Sequence, residues 1–289
     1  MLPDFPLYIV SKGRHDSRLT SKTLELMGVP YFIVVEAQEF PAYAAVIDRA
    51  KILVLDKAYQ RDYDLCTTAD PTGSTGPGPA RNFVWDHAIA SGAAWHWVMD
   101  DNINGFYRLN KNQKIRAGDG AIFKCMENFV LRYSNIAMAG PNYLMFVPRK
   151  YKFPPFTTNN RIYSCNLIKG NTGFRWRGRY NEDTDLSLRM LKTGWCTVQF
   201  NAFLQNKVAT QSLKGGNTDA FYAKEGTWKK SQMQIKLHPD VSKMVRKYGR
   251  WHHHVDYSGF KANKLILRDG VTIPAGVDDF GMNLRQVAG

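Results

Sequence analysis

Two short acidic runs carry most of the chemistry this sequence offers. In WVMDDNINGF, Asp100, Asp101 and Asn102 follow directly on an apolar run. Hard oxygen donors at a strand end can hold Mg²⁺ or Mn²⁺, which usually take one or two carboxylates plus substrate phosphates. An ion so placed acts as a Lewis acid on a diphosphate leaving group. Asp and Asn also close turns for local reasons, and the stretch alone fits either reading. The second run is RYNEDTDLSLRMLKTGW, where Glu182, Asp183 and Asp185 cluster at a helix start. The helix dipole favours carboxylates there without any chemistry. It does not account for Arg189, one helical turn beyond Asp185. A carboxylate beside a pocket can also serve as general base towards an acceptor hydroxyl.

The elements that must position these runs alternate. Leu7–Val10, Tyr31–Val35, Ile52–Asp56 and the run AWHWVM before Asp100 read as buried strands. Helical spacing covers Ser17–Met27 and about 80–91, separated from the third strand by the Gly- and Pro-rich loop TTADPTGSTGPGP. Strand and helix in this rhythm predict a parallel sheet flanked by helices, with ligands outside the carboxyl ends of the strands. The four strands end in Ser11-Lys12-Gly13-Arg14, Glu36, Asp56 and Asp100-Asp101, so polar groups converge on one edge, as a nucleotide site needs. Further on, helices are expected over Gly120–Tyr133, Asp183–Thr193 and Val241–Tyr248, and strands over Asn142–Pro148 and Trp195–Phe200.

Charge divides the chain. Its formal net charge is +14, yet residues 1–148 hold 15 basic and 15 acidic side chains. Residues 149–179 hold eight basic and no acidic ones, and residues 207–268 hold 13 against four. Solubility charge is normally spread and mixed in sign, whereas an excess confined to one half points to a polyanionic partner. Aromatics are interleaved with these cations: Tyr151, Phe153, Phe156, Tyr163, Phe174 and Trp176 either stack on bases or pack a core. No apolar run approaches a membrane span, and the opening MLPDFPLYIV has no basic signal-peptide region. Four widely spaced cysteines without a CxxC pair suit reduced thiols in a cytosolic compartment.

The segment EDTDLSLRMLKTGW resembles the acidic motif of family 2 glycosyltransferases and their GT-A-fold relatives. WVMDDN is similar to their strand ending in a D-x-D motif, and GPGPARNFVWDHA to the segment before it. Together with YIVSKGR and VVEAQEFPAY, these runs resemble the TET-associated glycosyltransferases of bacteriophages. The resemblance implies an α/β GT-A fold with a Rossmann-like, mostly parallel central sheet flanked by helices and a basic C-terminal extension. The core would span residues 1–206, with a nucleotide-sugar half to 110 and an acceptor half from 111; the extension would be 207–289.

It also implies an enzyme moving a sugar from a UDP-sugar onto 5-hydroxymethylcytosine in phage DNA, in the cytoplasm of an infected host, away from membranes. Ser11, Lys12, Gly13, Arg14 and Glu36 would line the nucleotide pocket, Arg81 would contact the donor, and Asp100 with Asp101 would serve ribose and metal. Asp183 would be the catalytic base with Glu182 beside it, giving inversion. An ion, Mn²⁺ or Mg²⁺, would be held by Asp101, Asn102 and a histidine from WHHH, His253. The sequence departs from the pattern at Asn102, an uncharged donor at the usual ligand position. Lys152, Arg161, Arg175, Trp176, Arg177, Arg179, Lys229 and Lys230 are the expected DNA contacts. A polysaccharide or protein acceptor, or a DNA-binding relative without catalysis, are the competing readings.

Overall fold

The computed structural model describes residues 1–67, 74–150, 153–208, 228–247 and 249–273. The first strands are β1 (Leu7–Val10), β2 (Phe32–Val35), β3 (Ile52–Val54) and β4 (Trp95–Asp100). They pair in parallel in the order β3-β2-β1-β4. Alternate residues of β1 go to opposite faces: Leu7 and Ile9 pack in one core, Tyr8 and Val10 in the other. A strand covered on both sides must be apolar throughout, which is why these runs show no polar alternation. Helices α1 (Leu19–Leu26), α2 (Phe40–Ala44), α3 (Lys57–Arg61) and α4 (Gly78–Ala90) make the connections.

Beyond β4 the sheet becomes mixed. Strands β5 (Ile103–Asn110), β6 (Gln113–Arg116), β7 (Ile136–Tyr143), β8 (Phe156–Thr158), β9 (Cys165–Lys169) and β10 (Cys196–Lys207) join it. The order continues β4-β9-β7-β10-β5-β6, with β8 on β10; only β7 and β10 pair in parallel there. Helices α5 (Ala121–Leu131) and α6 (Glu182–Lys192) cover this half, one in each core.

Two expectations are corrected. The strand expected over Asn142–Pro148 lies earlier, at Ile136–Tyr143, because the fully buried run IAMAG carries no periodic signal. The helix expected over Val241–Tyr248 is strand β11 (Ser242–Lys247), paired antiparallel with β12 (Arg250–Val255). Pairing with the WHHH strand overrides a weak helical spacing.

The C-terminal part is tied to the core. Helix α7 (Trp228–Leu237) is followed by His238, whose Nε2 lies 3.0 Å from Asp185 Oδ1 beneath α6. Asn263 donates to the carbonyls of Leu191 and Trp195. No helix among the described residues is long and apolar enough to cross a membrane.

Candidate active site

The carboxyl ends of β1, β2 and β4 open onto a cavity of about 350 Å³. Ser11, Lys12, Arg14, Glu36, Arg81, Asp100, Asp101, Asn102, Glu182 and Asp183 all stand in its wall, so runs far apart in sequence meet there. Gly13 does not line it. Its φ of 65° turns the chain after β1, and its N–H donates to the Glu39 carboxylate.

The first acidic turn is held from below by α1. Thr20 Oγ1 donates to the Asp100 carbonyl at 2.6 Å and accepts the Ile103 N–H at 2.9 Å. The Asp101 carboxylate accepts from Ser11 Oγ at 2.7 Å and is paired with Arg14. Tyr43 completes the corner, its hydroxyl 2.6 Å from Ser11 Oγ and accepting the Arg14 N–H. Asp100 is held on both oxygens, by Arg81 Nη2 at 2.8 Å and Lys207 Nζ at 2.6 Å. Burial would push both carboxyls up. Lys207 and Arg81 outweigh it at Asp100, whose pKa falls, but Arg14 does not at Asp101, whose pKa rises.

The second acidic run enters from a sharp turn. Asn181 adopts φ 53°, a left-handed conformation that asparagine tolerates, and its side-chain amide donates to the Lys230 carbonyl at 2.8 Å. This aims Glu182 and Asp183 at Arg81, whose Nη1 lies 3.1 Å from Glu182 Oε1 and 2.6 Å from Asp183 Oδ1. One buried guanidinium thus bridges both acidic runs, stacked 4.6 Å from the Trp176 ring centroid. Burial, and then the charge of Asp183, raise the Glu182 pKa despite Arg81. Asp185 points the other way; itself fully buried, it pairs with the buried His238 and the partly exposed Arg177 and Arg189. That network explains Arg189 without placing it at the cavity.

A second cavity of about 430 Å³ adjoins the first and shares Arg161, Tyr163 and Thr184 with it. Its wall includes Phe153, Asn160, Gln199, His253, His254 and Tyr257. His253 therefore lies on the neighbouring cavity rather than with Asp101 and Asn102. Burial and the nearby charges of Lys230 and Arg161 push its pKa down to about 3.

A divalent ion implied by the D-x-D resemblance meets these contacts as follows. Asn102 Oδ1 is buried without a protein partner and would suit an ion. Asp101 is already matched by Arg14 and Asp100 by Arg81 and Lys207, while His253 stands beside two further cations. Among the described residues no group of three His, Cys, Asp or Glu side chains converges as an ion would need. The expected donor set therefore does not fit Mn²⁺ or Mg²⁺ as arranged.

The expected DNA contacts divide. Arg175 pairs with Asp86 at 2.6 Å and Arg177 with Asp185 at 3.1 Å. Arg179 is buried against the Tyr180 ring, and Trp176 is 2 % exposed. Trp176 and Arg179 are thus taken up inside the fold, whereas Arg175 pairs with Asp86 at the surface and Arg177 stays partly exposed. Arg161 stands between the two cavities, Lys230 on the first, and Lys229 is exposed. Tyr151 and Lys152 lie outside the described residues.

Sequence reasoning missed Tyr143, Ser164 and Lys207 in the first cavity. The signal for Lys207 was present: β10 ends there, and polar residues at strand ends marked the other walls. The apolar reading of that strand stops at Phe200 because Asn201 interrupts it.

No curated protein matches the chain. The model of the TET-associated glycosyltransferase family matches residues 5–216, and with the GT-A-like sheet and its paired acidic runs this places the chain in that family as a glycosyltransferase.

Proposed function

We propose that the chain transfers a sugar from a UDP-sugar to the hydroxyl of 5-hydroxymethylcytosine in DNA. The first cavity suits the donor. Its polar groups stand outside the carboxyl ends of parallel strands, where such sheets bind nucleotides. Beside it, Glu182 and Asp183 can take the proton of an attacking hydroxyl. In that reaction the acceptor oxygen bonds to the anomeric carbon as the bond to the diphosphate oxygen breaks. The electron pair leaves with UDP, and the hydroxyl proton passes to the carboxylate pair. Direct displacement with Asp183 as base inverts the anomeric centre; a product with retained configuration removes Asp183 from that role.

The observation that carries the DNA acceptor is the β11–β12 ribbon. Lys243, Arg246, Lys247 and Arg250 are exposed on it, and Lys247 and Arg250 sit directly opposite each other. Like charges so paired are unfavourable in isolation and call for an anion. The exposed Trp251 packs edge-on against Trp228, 5.1 Å between ring centroids. The same strand then runs inward, so that His253, His254 and Val255 wall the second cavity. A two-stranded ribbon fits the DNA major groove, and there a 5-substituent of cytosine projects.

Mass spectrometry of nucleosides, after hydroxymethylated duplex DNA is incubated with a panel of UDP-sugars, tests donor and acceptor together. A hexosyl adduct of 5-hydroxymethyl-deoxycytidine with one of the donors is expected. Donor hydrolysis without any nucleoside adduct would turn the reading to a polysaccharide or protein acceptor.

A further inference from the structure

A nucleoside diphosphate gains negative charge as it leaves, and a cation aimed at that charge lowers the barrier. The acidic turn at Asp100 does not supply one through a metal ion, since its carboxylates are already matched. Three protein cations face the same space from three separate elements. Lys207 ends β10, Arg161 precedes β9, and Lys230 lies in α7; all three line the first cavity.

Their placement is unusual for charges that only hold a fold together. Lys207 Nζ is seated 2.6 Å from Asp100 Oδ2 and 2.8 Å from Ser164 Oγ, on one of the two carboxylates of the acidic turn. An ammonium has three donors, and these two contacts leave the third for a ligand. Arg161 meets neutral groups, Thr184 Oγ1 at 3.4 Å and the ring of Tyr163 at 4.7 Å. Burial lowers the Lys230 pKa; the charges of Glu182 and Asp183 oppose this, and those of Arg161 and Lys207 add to it.

We propose that Lys207, flanked by Arg161 and Lys230, binds the donor's diphosphate and supplies there the positive charge that a divalent metal ion would bring. The inference rests on the reading of the first cavity as the donor site. It makes the diphosphate site a property of the polypeptide: the cation is preset by Asp100 and Ser164, and charge on the departing UDP is met by N–H donors already in place.

The test is calorimetric titration of the full chain with UDP, with inorganic pyrophosphate and with uridine, each in excess EDTA and again in Mn²⁺. UDP and pyrophosphate are expected to bind in EDTA within about threefold of their affinity in Mn²⁺. Lys207→Met should weaken both by about tenfold or more while leaving uridine unchanged, as loss of a charge-assisted hydrogen bond predicts. UDP binding that tightens about tenfold or more with Mn²⁺ overturns the inference, and the wild-type arm decides this even where Lys207→Met fails to fold. A folded Lys207→Met chain with unchanged UDP affinity overturns it as well. Should no nucleoside diphosphate bind in either buffer, the donor reading is lost and this inference with it; Mn²⁺-dependent binding sinks this inference alone.

Discussion

Charge is organised in opposite ways on two sides of this molecule. Around the first cavity the carboxylates meet cations at contact distance: Glu36 has Lys12, Asp101 has Arg14, Asp100 has Arg81 and Lys207, and Glu182 and Asp183 share Arg81. On the β11–β12 ribbon, residues 242–255 contain no acid at all, and four cations stand in solvent. Closed pairs fix the geometry of the side chains that make them. Open charges hold no geometry and attract a polyanion without regard to its register. The contrast predicts that substitutions on the first side damage turnover or folding, while those on the second change affinity and its dependence on salt.

The largest expected effect is on turnover. Asp183→Asn keeps the shape and most of the contacts of the side chain but removes its capacity to take a proton. Sugar transfer should fall by about 10²–10⁴-fold, the usual contribution of a general base, with UDP affinity little changed. Initial rates at saturating donor measure the first quantity and calorimetry the second. An unchanged rate would move the role to Glu182.

Arg81→Met attacks the closed side at its centre. It leaves Asp100, Glu182 and Asp183 facing one another without the guanidinium that links them. Removing one partner of a buried ion pair typically destabilises by about 3–5 kcal/mol, enough to be plain in a urea denaturation curve. A destabilisation under about 1 kcal/mol would place this network in the range of exposed pairs and erase the contrast between the two sides.

Arg246→Glu combined with Lys247→Glu probes the open side. DNA affinity should drop by about tenfold or more, and the slope of log affinity against log salt should shrink by about 0.9 for each phosphate that is no longer neutralised. Fluorescence anisotropy across a salt series reads both. UDP affinity should not move. If it does, the ribbon is part of the donor site, and the two sides are not separate.

How far the sequence disclosed this arrangement follows from the kind of signal each part carries. The parallel half was legible because LYIV, FIVV and WHWVM are apolar runs ending in polar residues, and each is buried on both faces. The two acidic runs were legible through their residue types and the family pattern. The ribbon was not, since strand pairing between 242–247 and 250–255 is a tertiary fact that local spacing cannot carry. The ion-pair partners of Arg175 and Arg177 were not legible for a related reason. Charge read along a chain says nothing of whether Asp86 or Asp185 stands opposite, and here they do. Lys207 was missed because the buried Asn201 interrupts β10, although Asn201 is matched within the fold by Asn142 and the Pro154 carbonyl.

The smallest effect expected, and the most specific to the closed side, concerns Glu182. Its carboxyl is held above the usual range, first by burial and then by Asp183, so its charged form is disfavoured in the folded chain. A raised folded-state pKa means that the folded chain binds this proton more tightly than the unfolded one does. The stabilisation is complete below the unfolded value and is lost as pH rises through the folded value. Glu182→Gln removes the ionisation and with it that loss. The variant should therefore melt a few degrees above the wild type at pH 8, and the difference should fade as pH falls towards 4. Because Glu182 stands beside Asp183 on the same Arg81, the pH–rate profile should change in the same variant. Melting curves at pH 8, 6 and 4 read the first effect and steady-state rates over that range the second. A pH-independent difference in melting temperature would mean that Glu182 ionises in the folded chain as it does in water, and that Arg81 fully neutralises both carboxylates.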